Sequence, residues 1–348
     1  MYRDNDSGLQ ILEIEITNRC NLACSHCYVD KRDLRDMEYS QAVSLIDQGD
    51  SMGVNRVVLT GGEPLLYPKL FDLASHARQS GIPELVLLTN GILITEKNVD
   101  KLKVFDLVQM SFDLAPKMTA QIRPNYYRAV LNKVKLLKSR NIQPLLFATL
   151  YKSHLPCLDE MIELAKASNV RIAFDRLQVD DGDRLAEERM SNEEYSAALR
   201  KIARYKQSGF GINCTDPLIF LEDPEKLDRA QNSRGQGIMG GCTAGIAALY
   251  ITVCGNVFPC PFLKIDSGNI TQDDVNSIWE NSSILNRLRH RETYEGACGT
   301  CELSGSCGGC RAASLNAYKT PFASDPACFK SSSQSTLIST TNHFNILN

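Results

Sequence analysis

From residue 11 to about residue 210, two hydrophobic periodicities take turns along the chain. Short β-rich runs occur at Ile11–Thr17, Arg56–Thr60, Leu85–Thr89, Leu107–Asp113, Leu145–Leu150 and Arg171–Leu177. Stretches with helical spacing and frequent charges separate them, at Ser40–Met52, Lys69–Ser80, Tyr127–Arg140 and Leu158–Ser168, and Asn192–Lys206 follows the last run. Such alternation predicts a parallel sheet with its helices outside. Six units are too few for a closed eight-stranded barrel. The expected fold is therefore α/β, a partial, open (β/α)6 barrel over residues 10–215. Sites in such barrels gather at the C-terminal ends of the strands.

After Gly209 the pattern changes. Segments shorten, turns and cysteines become dense, and only Val275–Leu288 reads as a proper helix. Residues 216–330 are expected to form a small metal-stapled domain with too little apolar bulk to hold itself together unaided. Residues 331–348, rich in Ser, Thr and Asn without periodicity, are expected to be a disordered tail.

Composition narrows the class. Apolar residues at 43% and charged residues at 23% of 348 are ordinary for a soluble globular protein. A net charge of −3 with no basic stripe argues against nucleic-acid binding. No apolar run approaches a membrane span, and the polar, acidic start is no signal peptide, so a cytoplasmic location is expected. Thirteen cysteines are many. In a reducing compartment they read as metal ligands rather than disulfides. Three lie by residue 27 and eight between Cys242 and Cys328, which implies two metal-bearing regions.

The first is Cys20-Asn-Leu-Ala-Cys24-Ser-His-Cys27-Tyr28, directly after the first strand. One tight loop supplies three thiolates, where an iron–sulfur cube normally takes four. One iron is then open to a cofactor or substrate. The alternative is a structural zinc loop with His26 as fourth ligand, although His26 sits between two ligands and would strain a tetrahedral site. After the second strand comes Thr60-Gly61-Gly62-Glu63-Pro64. It reads either as a simple tight turn or as a place where backbone approaches a ligand without Cβ interference, with the Glu63 carboxylate ready to receive an amino group.

These motifs, on six βα units, resemble the radical S-adenosylmethionine (SAM) superfamily over roughly residues 10–215. The resemblance implies a 4Fe–4S cluster on Cys20, Cys24 and Cys27 whose fourth iron is chelated by the methionine part of SAM. It implies that Glu63 with the Gly61–Gly62 backbone holds the amino group and that Tyr28 lies against the adenine region. Asn90, Ser111 and Asp113 match family positions around cofactor and substrate, and Arg123 resembles the arginine that pairs with the cofactor carboxylate. The implied chemistry is reductive cleavage of SAM to a 5′-deoxyadenosyl radical that takes hydrogen from an unactivated carbon.

The second region runs Cys242, Cys260, Cys298-x2-Cys301-x5-Cys307-x2-Cys310, then Cys328. A zinc ribbon would explain Cys298 to Cys310 alone. The full run resembles the SPASM extension, which implies two auxiliary 4Fe–4S clusters and three clusters in all. Carried over by position, the first auxiliary cluster takes Cys242, Cys260 and Cys310, and the second takes Cys298, Cys301, Cys307 and Cys328. Two departures stand out. Gly308-Gly309 replaces a longer spacer, as in branches acting on peptides and on tetrapyrrole side chains. A ligand that often precedes the first is missing, since Ala230 to Gly241 holds no cysteine. The first auxiliary cluster is then open or borrows Cys214 or Cys254. Cys214 and Cys254 are each read as a ligand, a hydrogen donor to a substrate radical or a structural thiol; Cys254, at the β-like run Ala248–Val253, is most simply a buried small hydrophobe, and Cys157 is packing.

The resulting expectation is a radical SAM enzyme acting on a ribosomally made peptide, with a flavodoxin- or ferredoxin-type reductant. The outcome is a crosslink, an oxidation or decarboxylation, or an epimerisation. The first strand begins too early for a leader-binding domain before it, so a separate leader-binding protein is one expected partner. The alternatives are an oxidase of a small molecule or tetrapyrrole side chain and, in a different class, a zinc-stapled binding module or electron carrier without catalysis.

Overall fold

The computed structural model describes residues 8–114, 126–180, 182–223, 225 and 241–330. Among them one sheet carries ten strands in the order β10-β9-β8-β1-β2-β3-β4-β5-β6-β7. Strands β1 (Ile11–Thr17), β2 (Arg56–Gly61), β3 (Glu84–Thr89), β4 (Leu107–Ser111), β5 (Pro144–Leu150) and β6 (Arg171–Arg176) are the six expected runs, each shifted by two residues at most. All pair in parallel, so their C-terminal ends share one rim of an open barrel.

Alternation along β1 shows why the sheet curls around a polar interior. Leu12, Ile14 and Ile16 are fully buried and, because successive side chains point to opposite faces, Glu13 and Glu15 lie on the other side. Helices cover the apolar face. In α1 (Tyr39–Ser51) the buried residues Ala42, Leu45, Ile46 and Gly49 follow the spacing of one helical stripe. Further along, α2 (Leu70–Gln79), α3 (Tyr126–Ser139), α4 (Leu158–Ala167) and α5 (Asn192–Gln207) do the same. Helix α5 starts on a reciprocal cap, with Ser191 and Glu194 each accepting the other's backbone N–H. Between β3 and β4 the connection is a 3-10 segment, Val99–Val104, with no α-helix.

Four strands lie beyond the expected six. β7 (Ile212–Cys214) adds to β6. β8 (Ala248–Ile251) pairs in parallel with β1, and β9 (Asn256–Phe258) and β10 (Gly268–Asn269) extend the sheet antiparallel. The C-terminal region is therefore built onto the barrel's open edge. Its expected helix is two, α6 (Val275–Asn281) and α7 (Ser283–Arg289), broken at Ser282, whose ψ of 118° is extended. The short helices α8 (Gly296–Thr300) and α9 (Arg311–Tyr318) complete it. The expected tail lies outside the described residues, and no helix among those described is long and apolar enough to cross a membrane.

Candidate functional site

The three-cysteine loop is fastened to the barrel rim by polar side chains at its two ends. The Asn18 amide donates to Asp30 O at 3.0 Å and Asp33 O at 2.7 Å, and Asn18 Oδ1 accepts from Arg35 N at 2.6 Å. Thr17 Oγ1 and the Arg19 guanidinium both bind Asp36. The Gly61–Gly62 turn clasps the same loop. Gly62 N donates to Thr17 O at 2.7 Å and Glu63 N to Arg19 O at 2.8 Å. A Cβ at Gly61, whose φ is +140°, would lie 2.0 Å from Thr17 O, and one at Gly62 would lie 2.3 Å from Arg19 O. Both glycines line the cavity, but the backbone that comes so close is that of the cysteine loop.

The cavity, about 190 Å³, opens on this rim. Cys20, Cys24 and Cys27 line it with Tyr28, Gly61, Gly62, Asn90, Ser111 and Asp113. Burial first, then the nearby Cys27 and Cys20 thiols, push the Cys24 pKa to about 11. Burial likewise raises Cys20. Such thiols give up their protons when a cationic centre arrives to compensate, which suits an iron–sulfur core. Tyr28 is half-buried, in contact with Thr60 Oγ1, and packs edge-on against Phe262 and Tyr250. The Asn90 amide donates to Asn21 Oδ1 at 2.8 Å and approaches Cys20 Sγ at 3.9 Å.

Glu63 stands behind this wall, fully buried. Its Oε1 accepts from Thr89 Oγ1 at 2.7 Å and Leu65 N at 3.0 Å, and its Oε2 from Asn90 N at 2.8 Å. The carboxylate thus ties the end of β2 to the end of β3. Arg123 lies outside the described residues. The sequence reading missed several lining residues: Tyr126, whose hydroxyl donates to Asn90 O at 2.9 Å, Gln178, Phe262 and Tyr151. Tyr151 Oη and His26 Nδ1 share a hydrogen bond at 2.6 Å, and His154 Nε2 meets Asp113 Oδ1 at 2.9 Å. His26, offered above as a zinc ligand, is held by Tyr151 instead. Tyr151 and Gln178 follow β5 and β6 by one and two residues, so the strand-end rule was the signal that could have found them.

The later cysteines fall into two groups. Burial, then Cys242 and Cys310 beside it, push the Cys260 thiol far up. Cys298, Cys301, Cys307 and Cys328 line a separate cavity of about 270 Å³, far more room than one metal ion needs. Gly308 and Gly309, both at positive φ, pass where side chains could not. A Cβ at Gly309 would lie 2.6 Å from Arg311 Nη2 and 3.1 Å from Cys298 Sγ. Backbone N–H groups aim at the sulfurs: Leu22 N at Cys20, Leu263 N at Cys260, Leu303 N at Cys301 and Gly309 N at Cys307, at 3.2 to 3.4 Å. Donors of this kind stabilise thiolates that carry iron–sulfur clusters. The donor set fits clusters in all three places.

The leftover thiols separate clearly. Cys214 is fully buried in the apolar core on β7 and lines neither cavity, surroundings that suit packing. Cys254, expected to be buried, is exposed in the turn between β8 and β9. Cys157 is half-buried at the start of α4, its thiol toward His154 O.

Comparison with known proteins agrees with this geometry. Residues 14–165 match the radical SAM superfamily and residues 242–302 the SPASM iron–sulfur cluster-binding domain. The chain is 26% identical over 336 residues to the AdoMet-dependent heme synthase of Methanosarcina barkeri, covering 92% of this chain and 96% of that protein. It is 28% identical over 353 residues to the mycofactocin maturase MftC of Mycobacterium tuberculosis, covering 93% and 83%. Its fold superposes on Streptococcus suis SuiB bound to its precursor peptide SuiA with a TM-score of 0.75 at 19% identity, over 92% of this chain and 76% of that one. The chain is a radical SAM enzyme with a C-terminal SPASM domain, built to bind SAM on one 4Fe–4S cluster and to carry auxiliary clusters beyond it.

Proposed function

We propose that this enzyme oxidatively modifies a ribosomally made peptide, one side chain of which enters the rim cavity. The observation that carries this reading is the chemistry of the cavity wall. Amides and hydroxyls (Asn90, Gln109, Gln178, Ser111, Thr149) alternate with the rings of Phe112, Tyr126, Phe147 and Phe262, and among the described lining residues Lys31 is the one Lys or Arg. Such a wall suits a largely neutral peptide segment. Cys20, Cys24 and Cys27 hold the SAM-binding cluster. Cys242, Cys260 and Cys310 hold one auxiliary cluster, and Cys298, Cys301, Cys307 and Cys328 hold the other.

Bound SAM and its cluster supply hydrogen-abstracting power, and the auxiliary clusters supply an electron sink. The chain's own residues position and exclude. Tyr28 and Asn90 shape the cofactor end of the cavity, with Glu63 holding Asn90 in place. Ser111 and Asp113 face the reacting end, and the aromatic wall keeps water out. The described lining thiols are Cys20, Cys24 and Cys27. With no further thiol there to return hydrogen, oxidation is favoured over epimerisation. A flavodoxin- or ferredoxin-type reductant, a separate leader-binding protein and a cytoplasmic location complete the reading.

A second reading, oxidation of a tetrapyrrole side chain, draws on the likeness to heme synthases over more than nine-tenths of the chain. Anaerobic reconstitution with reductant and SAM separates the two. The enzyme should form 5′-deoxyadenosine and change the mass of a short peptide encoded beside its gene. Loss of a side-chain carboxyl group as carbon dioxide from an iron porphyrin, with every such peptide unchanged, would reverse the choice.

A further inference from the structure

Gln178, two residues beyond the end of β6, belongs to two sites at once. It lines the rim cavity that holds Cys20, Cys24 and Cys27. Its side-chain Nε2 also donates to Cys310 Sγ at 3.3 Å. Cys242, Cys260 and Cys310 pack against one apolar cluster that includes Ala244, Leu263 and Ala312, and Cys242 and Cys310 lie close enough to Cys260 to push its thiol up. Phe262, two residues after Cys260, forms another part of the same cavity wall. The Cys242–Cys260–Cys310 group therefore abuts the cavity through Gln178 and Phe262. The other four cysteines surround their own cavity beside Leu218 and Leu221.

The hydrogen bond has a definite electrical consequence. Reducing a cluster by one electron adds negative charge that spreads onto its thiolate sulfurs. An N–H donor to one of those sulfurs favours the reduced form and raises the potential. The donor to Cys260, Leu263 N, belongs to the backbone, which a side-chain substitution does not remove. The donor from Gln178 is a side chain, and one already in the cavity wall. A primary amide has two N–H groups and one carbonyl oxygen, so with Nε2 turned to Cys310 it still has groups to present to a molecule in the cavity.

We propose that Gln178 is a positioning residue that sets the potential of the auxiliary cluster nearest the cavity, through its hydrogen bond to Cys310. This rests on the reading that Cys242, Cys260 and Cys310 hold that cluster. The test is an EPR-monitored potentiometric titration of the reconstituted holoenzyme, in which the component lost on Cys260→Ala is assigned to this cluster. Gln178→Leu keeps the bulk and removes the donor; Gln178→Asn keeps the amide but withdraws it from the sulfur. In both variants that component should move to lower potential, while iron and sulfide contents and the other components stay as in the unmodified enzyme. An unmoved midpoint at full iron content overturns the proposal. Loss of the component in either variant also overturns it, since Gln178 would then hold the cluster rather than tune it. If Cys260→Ala removes no component, the ligand assignment itself has failed, a result separate from any shift in the Gln178 variants.

Discussion

Arg176 at the end of β6 and Asp325 beyond α9 form a two-pronged ion pair, Nη1 to Oδ1 at 2.9 Å and Nη2 to Oδ2 at 2.7 Å, with both side chains buried. Asp325 also accepts from Cys310 N at 2.7 Å, and its own N–H approaches Cys298 Sγ at 3.3 Å. One residue thus joins the barrel to both groups of later cysteines, through its carboxylate to Arg176 and Cys310 and through its backbone N–H to Cys298. Removing one partner of a buried pair leaves a charge uncompensated, typically at a cost of about 3–5 kcal/mol. Asp216, which also contacts Arg176, offsets part of that. Asp325→Ala should lower the unfolding temperature and reduce the iron retained after reconstitution, by calorimetry and iron assay. Full iron with an unchanged melting temperature would mean that the bridge holds nothing in place.

Gly61→Ala tests the clasp on the cysteine loop. The added Cβ would meet Thr17 O at 2.0 Å in a backbone conformation that alanine resists, so β2 or the loop must move. Overpacking of this kind costs about 1–3 kcal/mol or more. The iron lost should be that of the SAM-binding cluster, with the auxiliary signals retained. The check is EPR of the reduced protein with and without SAM, where the SAM-responsive component should vanish. Retention of that component would show that the loop does not need the glycine.

The barrel was legible because each of its first six strands carries its own local pattern, and the cysteine loop because its spacing is local too. What was not legible depends on distant partners. Ala248–Val253 reads locally as a β-like run, and Ala248–Ile251 is a strand, but that it completes the open edge of β1 is a pairing no local run encodes. Arg311–Tyr318 is helical beside a stretch of glycines and cysteines that reads as loop, and Arg311 is fully buried with donors to Pro321 O and Ala323 O. The Gly61–Gly62 turn stands where its motif puts it, yet Thr17 and Arg19 occupy the space that glycine leaves. Gln178 and Tyr151 carry no motif, and only the strand ends bring them to the rim.

Glu63→Gln should weaken SAM binding without emptying the cluster. The carboxylate accepts from Leu65 N, Thr89 Oγ1 and Asn90 N, whereas an amide offers one oxygen and turns an N–H₂ toward a donor. Hydrogen bonds to charged groups are worth about 1.5–3 kcal/mol, so displacing Asn90 should reduce affinity by roughly 10- to 100-fold. Anaerobic equilibrium binding of SAM to the reconstituted protein measures it. Affinity within twofold of the unmodified enzyme would detach Glu63 from the cofactor site.

The interior face of β1 predicts an unusual dependence on pH. Burial first, then the neighbouring Glu15, push Glu13 from 4.5 to about 7, and Tyr28 and Tyr250 lie close to it. Between pH 4.5 and 7 the folded protein keeps this proton while the unfolded chain has released it. The folded state therefore binds more protons in that window, and stability must fall as pH rises through it. A tenfold difference in proton affinity between the two states is worth about 1.4 kcal/mol, which bounds the loss at about 3.5 kcal/mol. Glu13→Gln cannot ionise and lacks this contribution. Its unfolding temperature should gain on that of the unmodified protein as pH is raised from 5 to 8. A difference between the two proteins that stays constant over that range would show that Glu13 titrates as an ordinary carboxylate.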